Sequence, residues 1–195
     1  MAVSFEDQEF VLKDVTERFE KLKIPYMLSG SMAMVSYAMM RMTNDIDIVI
    51  EAKSTDAEKI IKEFEPDYYV PQNRVKDAIY RGNMFNLLHQ EKIVKIDCVL
   101  RKDNEFQKLA FSNRKKIRFT DFDIWTISRD DLILSKLNWA KKSRSEMQMR
   151  DVANIIRNGY NKEYIEFWAE KLGVKDLLEE CYKLLEINYV DGHDS

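Results

Sequence analysis

Two carboxylates two residues apart, Asp45 and Asp47, lie in the run Asn44-Asp45-Ile46-Asp47-Ile48-Val49-Ile50-Glu51, where apolar and polar side chains alternate. Period-two alternation marks a β-strand with one buried face. Ile46, Ile48 and Ile50 then point one way, and Asp45, Asp47 and Glu51 the other. Like charges side by side on a strand face repel and lower stability. A cation removes that repulsion, and hard carboxylate oxygens suit Mg²⁺ or Mn²⁺. A second expected strand, Lys92 to Leu100, puts Ile96, Cys98 and Leu100 on one face and Asp97 on the other, with Lys95 and Val99. Met84 to Leu88, closed by His89-Gln90-Glu91, reads as its antiparallel hairpin partner. If the two acidic strands are neighbours, Asp45, Asp47 and Asp97 can share a pair of metal ions. Two such ions about 3.5–4 Å apart clamp the attacking and leaving oxygens of a phosphoryl displacement.

A phosphate-binding end lies upstream. Ile24 to Leu28 is a short apolar strand, and Ser29-Gly30-Ser31 turns it into Met32 to Ala38, a stretch of helix formers without Pro or Gly. A small-residue turn entering a helix leaves backbone N–H groups for an anion, aided by the helix dipole. Gly30 lets a phosphate approach the backbone, and the Ser31 hydroxyl can donate to it. Taken singly, a Gly-Ser is usually a turn and an Asp-x-Asp usually a solvated edge. The order strand, Gly-Ser, helix, strand with Asp-x-Asp, strand with Asp outweighs those readings.

With these residues in place, the chain resembles the polymerase-beta-like nucleotidyltransferase superfamily, whose motif is Gly-Ser, then Asp-x-Asp/Glu, then a later strand-borne Asp. Gly30, Ser31, Asp45, Asp47 and Asp97 match it one by one. More narrowly, Arg41-Met42-Thr43-Asn44-Asp45-Ile46-Asp47 is similar to a segment of the AbiEii-type toxin nucleotidyltransferases and their uncharacterised relatives. Asp131 to Leu137 and Met149 to Val152 resemble that group's downstream helices. The resemblance implies that Lys136 contacts nucleotide phosphate and that Asp151 orients it or the acceptor. Arg41 and Thr43 read as structural supports. On spacing alone, Lys136 sits within the apolar stripe of Leu132, Ile133, Leu137 and Ala140, and Asp151 intrudes likewise between Met147 and Ile155. The two opposite charges could therefore simply pair with each other.

Composition sets outer bounds. A chain of 195 residues, 45% hydrophobic, can bury one good core with an attached smaller layer. A net charge of −3 gives no global argument for nucleic-acid binding. The basic runs Arg114 to Arg118 and Lys141 to Arg144 read first as solvated strand and helix-end charge, with a polyanion border as the alternative. Cys98 and Cys181 offer no disulfide framework or metal-ligand spacing, which fits a reducing cytoplasm. No signal peptide or membrane span is expected. His89 is assigned to a hairpin turn, and Asp121-Phe122-Asp123, with no Gly-Ser before it, to the surface.

The expected fold is α/β with a mixed sheet: a nucleotidyltransferase core over 1–128 and a helical region over 129–195 packed on it, the nucleotide lying between them. Expected elements are helices over 6–22, 55–64 and 74–80, later strands over 115–119 and 123–127, and helices from Arg129 punctuated by Gly159 and Gly173. Pro66 to Pro71 reads as a break, and Trp168 with Tyr164 as core packing. The resemblance implies transfer of a nucleoside monophosphate from an NTP to an acceptor hydroxyl with Mg²⁺ or Mn²⁺. It further implies a tRNA 3′ end as acceptor, in a toxin with a cognate antitoxin. Antibiotic or protein adenylylation, and an inactive nucleotide sensor of the same fold, stand as alternatives.

Overall fold

The computed structural model describes residues 3–38, 43 and 45–190. They divide into two compact units, Met1–Ala33 with Met40–Ile127, and Met34–Met39 with Ser128–Ser195.

The first unit is built on one mixed seven-stranded sheet. Its strands are β1 (Tyr26–Leu28), β2 (Asp45–Ile50), β3 (Tyr68–Tyr69), β4 (Met84–His89), β5 (Lys95–Leu100), β6 (Lys115–Phe119) and β7 (Phe122–Thr126). They run in the order β3-β4-β5-β2-β1-β7-β6. The two acidic strands are indeed neighbours, parallel, with Asp47 opposite Asp97 and Asp45 opposite Lys95. The alternation read from the sequence is realised on both. Ile46, Ile48, Ile50, Ile96 and Cys98 are fully buried, while Asp45, Asp47 and Asp97 on the other face are partly exposed.

Helices α1 (Phe5–Leu22), α2 (Ala57–Phe64), α3 (Gln72–Arg81) and α4 (Glu105–Ser112) complete this unit. In α1 the Ser4 side chain accepts from the Asp7 N–H, and Val11, Leu12, Val15 and Phe19 form its buried stripe. Phe19 packs against Phe64 of α2 at 5.4 Å between ring centroids, and Phe64 against Tyr68 of β3 at 5.2 Å. This aromatic chain explains why the Pro66–Pro71 break in fact holds an edge strand. Buried Tyr68 anchors it, although two residues are too few to show alternation. His89 is likewise corrected: it ends β4, buried, with Tyr68 edge-on at 4.9 Å and its Nδ1 accepting from the Lys92 N–H at 3.1 Å. Helix α4, absent from the sequence reading, is capped by Asn104, which accepts from the Gln107 N–H. Met32 to Ala38, expected as an α-helix, holds a five-residue 3₁₀ helix over Met32–Ser36.

The basic run before β7 lies on an outermost strand. Lys115, Lys116 and Arg118 are exposed there, and charged side chains on an edge discourage pairing with other chains. Asp121, in the β6–β7 turn, meets Lys13 at 3.1 Å, and Asp123 meets Arg118 across the hairpin at 3.6 Å. That Asp-x-Asp is a surface feature.

The second unit contains α5 (Arg129–Ser143), α6 (Glu146–Ile156), α7 (Lys162–Leu172) and α8 (Lys175–Val190). Ser128, Ser145 and Asn161 cap the first three through their side chains. Leu132, Ile133, Leu137 and Ala140 are fully buried, as their spacing requires. Gly173 ends α7 at φ 63°, a left-handed conformation open to glycine. Trp168 is buried and the Tyr164 hydroxyl donates to Asp131 Oδ1 at 2.7 Å, so both serve the core. Among the described residues no helix is long and apolar enough to cross a membrane. Cys98 and Cys181 are both free and buried, and burial pushes both thiols up, Cys181 to about 12.

Because β2 is central and β6 lies at the edge, Ile48→Ala should lose about 2–5 kcal/mol in urea unfolding. Lys116→Ala should leave the midpoint almost unmoved. Equal effects would contradict this sheet order.

Candidate active site

The acidic face of β2 and β5 is fixed by what lies behind it. A one-residue slip of either strand would turn its buried aliphatic side chains to the acidic side, so the core locks the register that sets Asp47 beside Asp97. Asp45 lies two residues before Asp47 on the same face. On the other flank of β5, β4 places Asn86 opposite Asp97, and the Asn86 amide donates to Asp97 Oδ1.

Lys95 brings a cation to these acids. Its Nζ lies 3.2 Å from Asp45 Oδ2 and 3.1 Å from Asp97 Oδ1. Burial works against the Lys95 charge, yet hydrogen bonds and charge from Asp97 and Asp45 outweigh it and hold the ammonium above its ordinary range. Sequence reasoning put Lys95 on the acidic face without a role and passed over Asn86. Period two was the signal for the first, and only the hairpin register could have given the second.

The Gly30 turn follows directly from strand pairing. β1 runs antiparallel to β2 with Leu28 opposite Ile48, and the next N–H, of Ser29, donates to the Asp47 carbonyl at 2.9 Å. Gly30, at φ 63°, is thereby laid against the Asp47 side chain. A Cβ on residue 30 would stand 1.9 Å from Asp47 Oδ2, a separation no real atom pair tolerates. Two constraints thus require glycine here: the left-handed backbone and the carboxylate beside it. Ser31 follows, buried. Thr43 joins the support of β2, its hydroxyl donating to the Asp45 carbonyl at 3.3 Å and its own carbonyl accepting from the Gln8 amide. Arg41 lies outside the described residues.

In the second unit, α5 and α6 bring Lys136 and Asp151 together. Lys136 Nζ lies 2.8 Å from Asp151 Oδ2 and 3.2 Å from Gln148 Oε1, with both charged side chains only 4% exposed. The pairing weighed from spacing is therefore formed. Removing one partner of a buried pair leaves an uncompensated charge, which is strongly destabilising.

Carboxylate oxygens on adjacent strands are the donor chemistry of a hard divalent cation, and the ammonium between Asp45 and Asp97 marks where positive charge is stabilised. Among the described residues, no three His, Cys, Asp or Glu side chains are already drawn together as a ligand cluster. Donor type fits the ion that the resemblance implies. Its entry requires these carboxylates to reorient.

A family model for a nucleotidyltransferase of unknown function (DUF6036) matches residues 7–189. The chain belongs to that family. Nucleotidyltransferase membership, expected from Gly30-Ser31 and Asp45-x-Asp47, therefore holds. A search of curated proteins finds no match. Among solved structures, this nucleotidyltransferase is similar to an antigenic nucleotidyltransferase-like protein from Paracoccidioides brasiliensis. The TM-score is 0.56 at 15% identity, over 93% of this chain and 94% of that one. It is also similar to a lincosamide antibiotic adenylyltransferase solved with lincomycin, at TM-score 0.50 and 16% identity, over 80% of this chain and 99% of that one. Likenesses at these identities establish the fold, a mixed α/β nucleotidyltransferase fold as expected.

Gly30→Ala should destabilise the protein by more than the roughly 1 kcal/mol of a left-handed alanine, because the methyl meets Asp47. Combined with Asp47→Gly, the loss in urea unfolding should be smaller than the sum of the single losses. Strict additivity would refute the contact. In the second unit, Asp151→Ala should lower stability by about 3–5 kcal/mol.

Proposed function

We propose that the protein transfers a nucleoside monophosphate from an NTP to an acceptor hydroxyl and releases pyrophosphate. The observation that carries this is the in-register placement of Asp47 and Asp97 on neighbouring parallel strands, with Asp45 on the same face and the Gly30 turn against Asp47. Asp45, Asp47 and Asp97 would hold Mg²⁺ or Mn²⁺. When bound, the ion draws charge from the triphosphate and lowers the pKa of a coordinated hydroxyl. Asp97 takes the proton of the acceptor hydroxyl, with Asn86 orienting its carboxylate. The freed oxygen attacks the α-phosphorus, the bond from that phosphorus to its bridging oxygen breaks, and the electron pair leaves on pyrophosphate. The backbone at Gly30 and the hydroxyl of Ser31 cradle the β- and γ-phosphates. In the second unit, Lys136 contacts nucleotide phosphate and Asp151 fixes the Lys136 ammonium. The chain would divide into two domains, 1–128 as the nucleotidyltransferase core and 129–195 as the helical region.

The acceptor we favour is a tRNA 3′ end, in a growth-inhibiting toxin held in check by an antitoxin. The support is the likeness of Arg41 to Asp47, and of the Lys136 and Asp151 helices, to the AbiEii-type group. The second reading is a small antibiotic acceptor. The observation favouring it is the fold shared with an adenylyltransferase solved with lincomycin. Cytoplasmic action suits either acceptor and the two free cysteines.

Incubation with each labelled NTP, Mg²⁺ and either total RNA or a lincosamide and aminoglycoside panel separates the two. Label in RNA supports the tRNA reading, and label only in antibiotic supports the other. Asp47→Asn and Asp97→Asn should each lower incorporation at least about a thousandfold while keeping the cooperative melt of the wild type. Wild-type incorporation by either variant overturns the mechanism.

A further inference from the structure

Lys95 stands on the acidic face and takes no part in the transfer just described. Its ammonium occupies oxygens of two of the three carboxylates that would hold the divalent ion, at 3.2 Å from Asp45 and 3.1 Å from Asp97. The placement is built into the sheet. Lys95 is the register partner of Asp45 and precedes Asp97 by two residues on β5, so strand geometry delivers its stem to both acids. The side chains differ in their freedom to leave. Asp97 is 14% exposed and tied to Asn86, whereas the Lys95 side chain is 40% exposed on a flexible four-carbon stem.

We propose that Lys95 is a tethered counter-cation: it neutralises Asp45 and Asp97 while no divalent ion is bound, and the arriving ion displaces it toward solvent. This rests on the reading of the three acids as a metal site. A divalent ion on these carboxylates repels the ammonium and competes with it for the same oxygens, so ion entry weakens both Lys95 contacts and the intrinsic affinity for the ion is reduced accordingly. In return, the ion-free protein escapes the repulsion of its own acidic face. Asn86 keeps Asp97 Oδ1 oriented when the ammonium withdraws. A lysine placed to grip the triphosphate predicts something different: its loss would weaken nucleotide binding and leave ion binding without nucleotide unchanged.

The test is calorimetric titration of the full chain with Mn²⁺ in the absence of nucleotide, together with thermal melts. Lys95→Met should bind Mn²⁺ about fivefold to tenfold more tightly than wild type, and Lys95→Arg should stay close to wild type. Without divalent ion Lys95→Met should melt below wild type, and saturating Mn²⁺ should raise its melting temperature by more than it raises that of wild type. Should Lys95→Met fail to fold, Lys95→Gln carries the same expectations. Unchanged or weaker Mn²⁺ binding in the neutral variant, with Asp97→Asn losing binding, overturns the displacement and leaves the metal site standing. Equal binding by wild type and Asp97→Asn, or none by either wild type or the neutral variant, overturns the metal site and this proposal with it.

Discussion

The register between β2 and β5 is the constraint on which the site depends. It is held by hydrogen bonds along the pair and by the aliphatic side chains behind it, and its consequence on the other face is electrostatic. Asp47 faces Asp97, and Asp45 stands two residues away. A hydrophobic core that admits no slip therefore imposes a concentration of negative charge that the fold must accommodate. The molecule answers with an ammonium from Lys95, which the same register fixes, and an amide from Asn86, which the β4–β5 register fixes. Packing and site chemistry are here two faces of one pair of strands.

The Gly30 turn shows the same dependence at shorter range. Pairing of Leu28 with Ile48 carries the chain over Asp47, and the Ser29 N–H fastens it to the Asp47 carbonyl. Only a residue without a side chain fits between that backbone and the carboxylate. The second unit handles charge differently, burying Lys136 and Asp151 as a pair at 2.8 Å. A buried pair of this kind is a poor stabiliser compared with apolar packing.

Much of the first unit was legible in the sequence because its strands are long enough to alternate. Six residues in β2 and six in β5 repeat the pattern often enough to assign each acid to a face. Their adjacency was not legible, since a parallel pair joined through α2, β3, α3 and β4 is decided by long-range packing. β3 escaped because two residues cannot show a period, and His89 was placed in a turn because nothing local reveals its contact with Tyr68. The short α4 offered one cap and few turns, and Met32 to Ser36 coils as 3₁₀ although its residues favour an α-helix. At the site, residue types and faces could be read directly. The Asn86 partner of Asp97 could not, because it meets Asp97 only once the hairpin register is set.

The most direct measurement is anomalous diffraction from crystals of the full chain grown with Mn²⁺ and a non-hydrolysable NTP. The account predicts anomalous peaks at metal–oxygen bonding distance from carboxylate oxygens of Asp45, Asp47 and Asp97, with the triphosphate lying along the Gly30 turn. Peaks confined to other carboxylates, or a nucleotide bound away from this face, would contradict it.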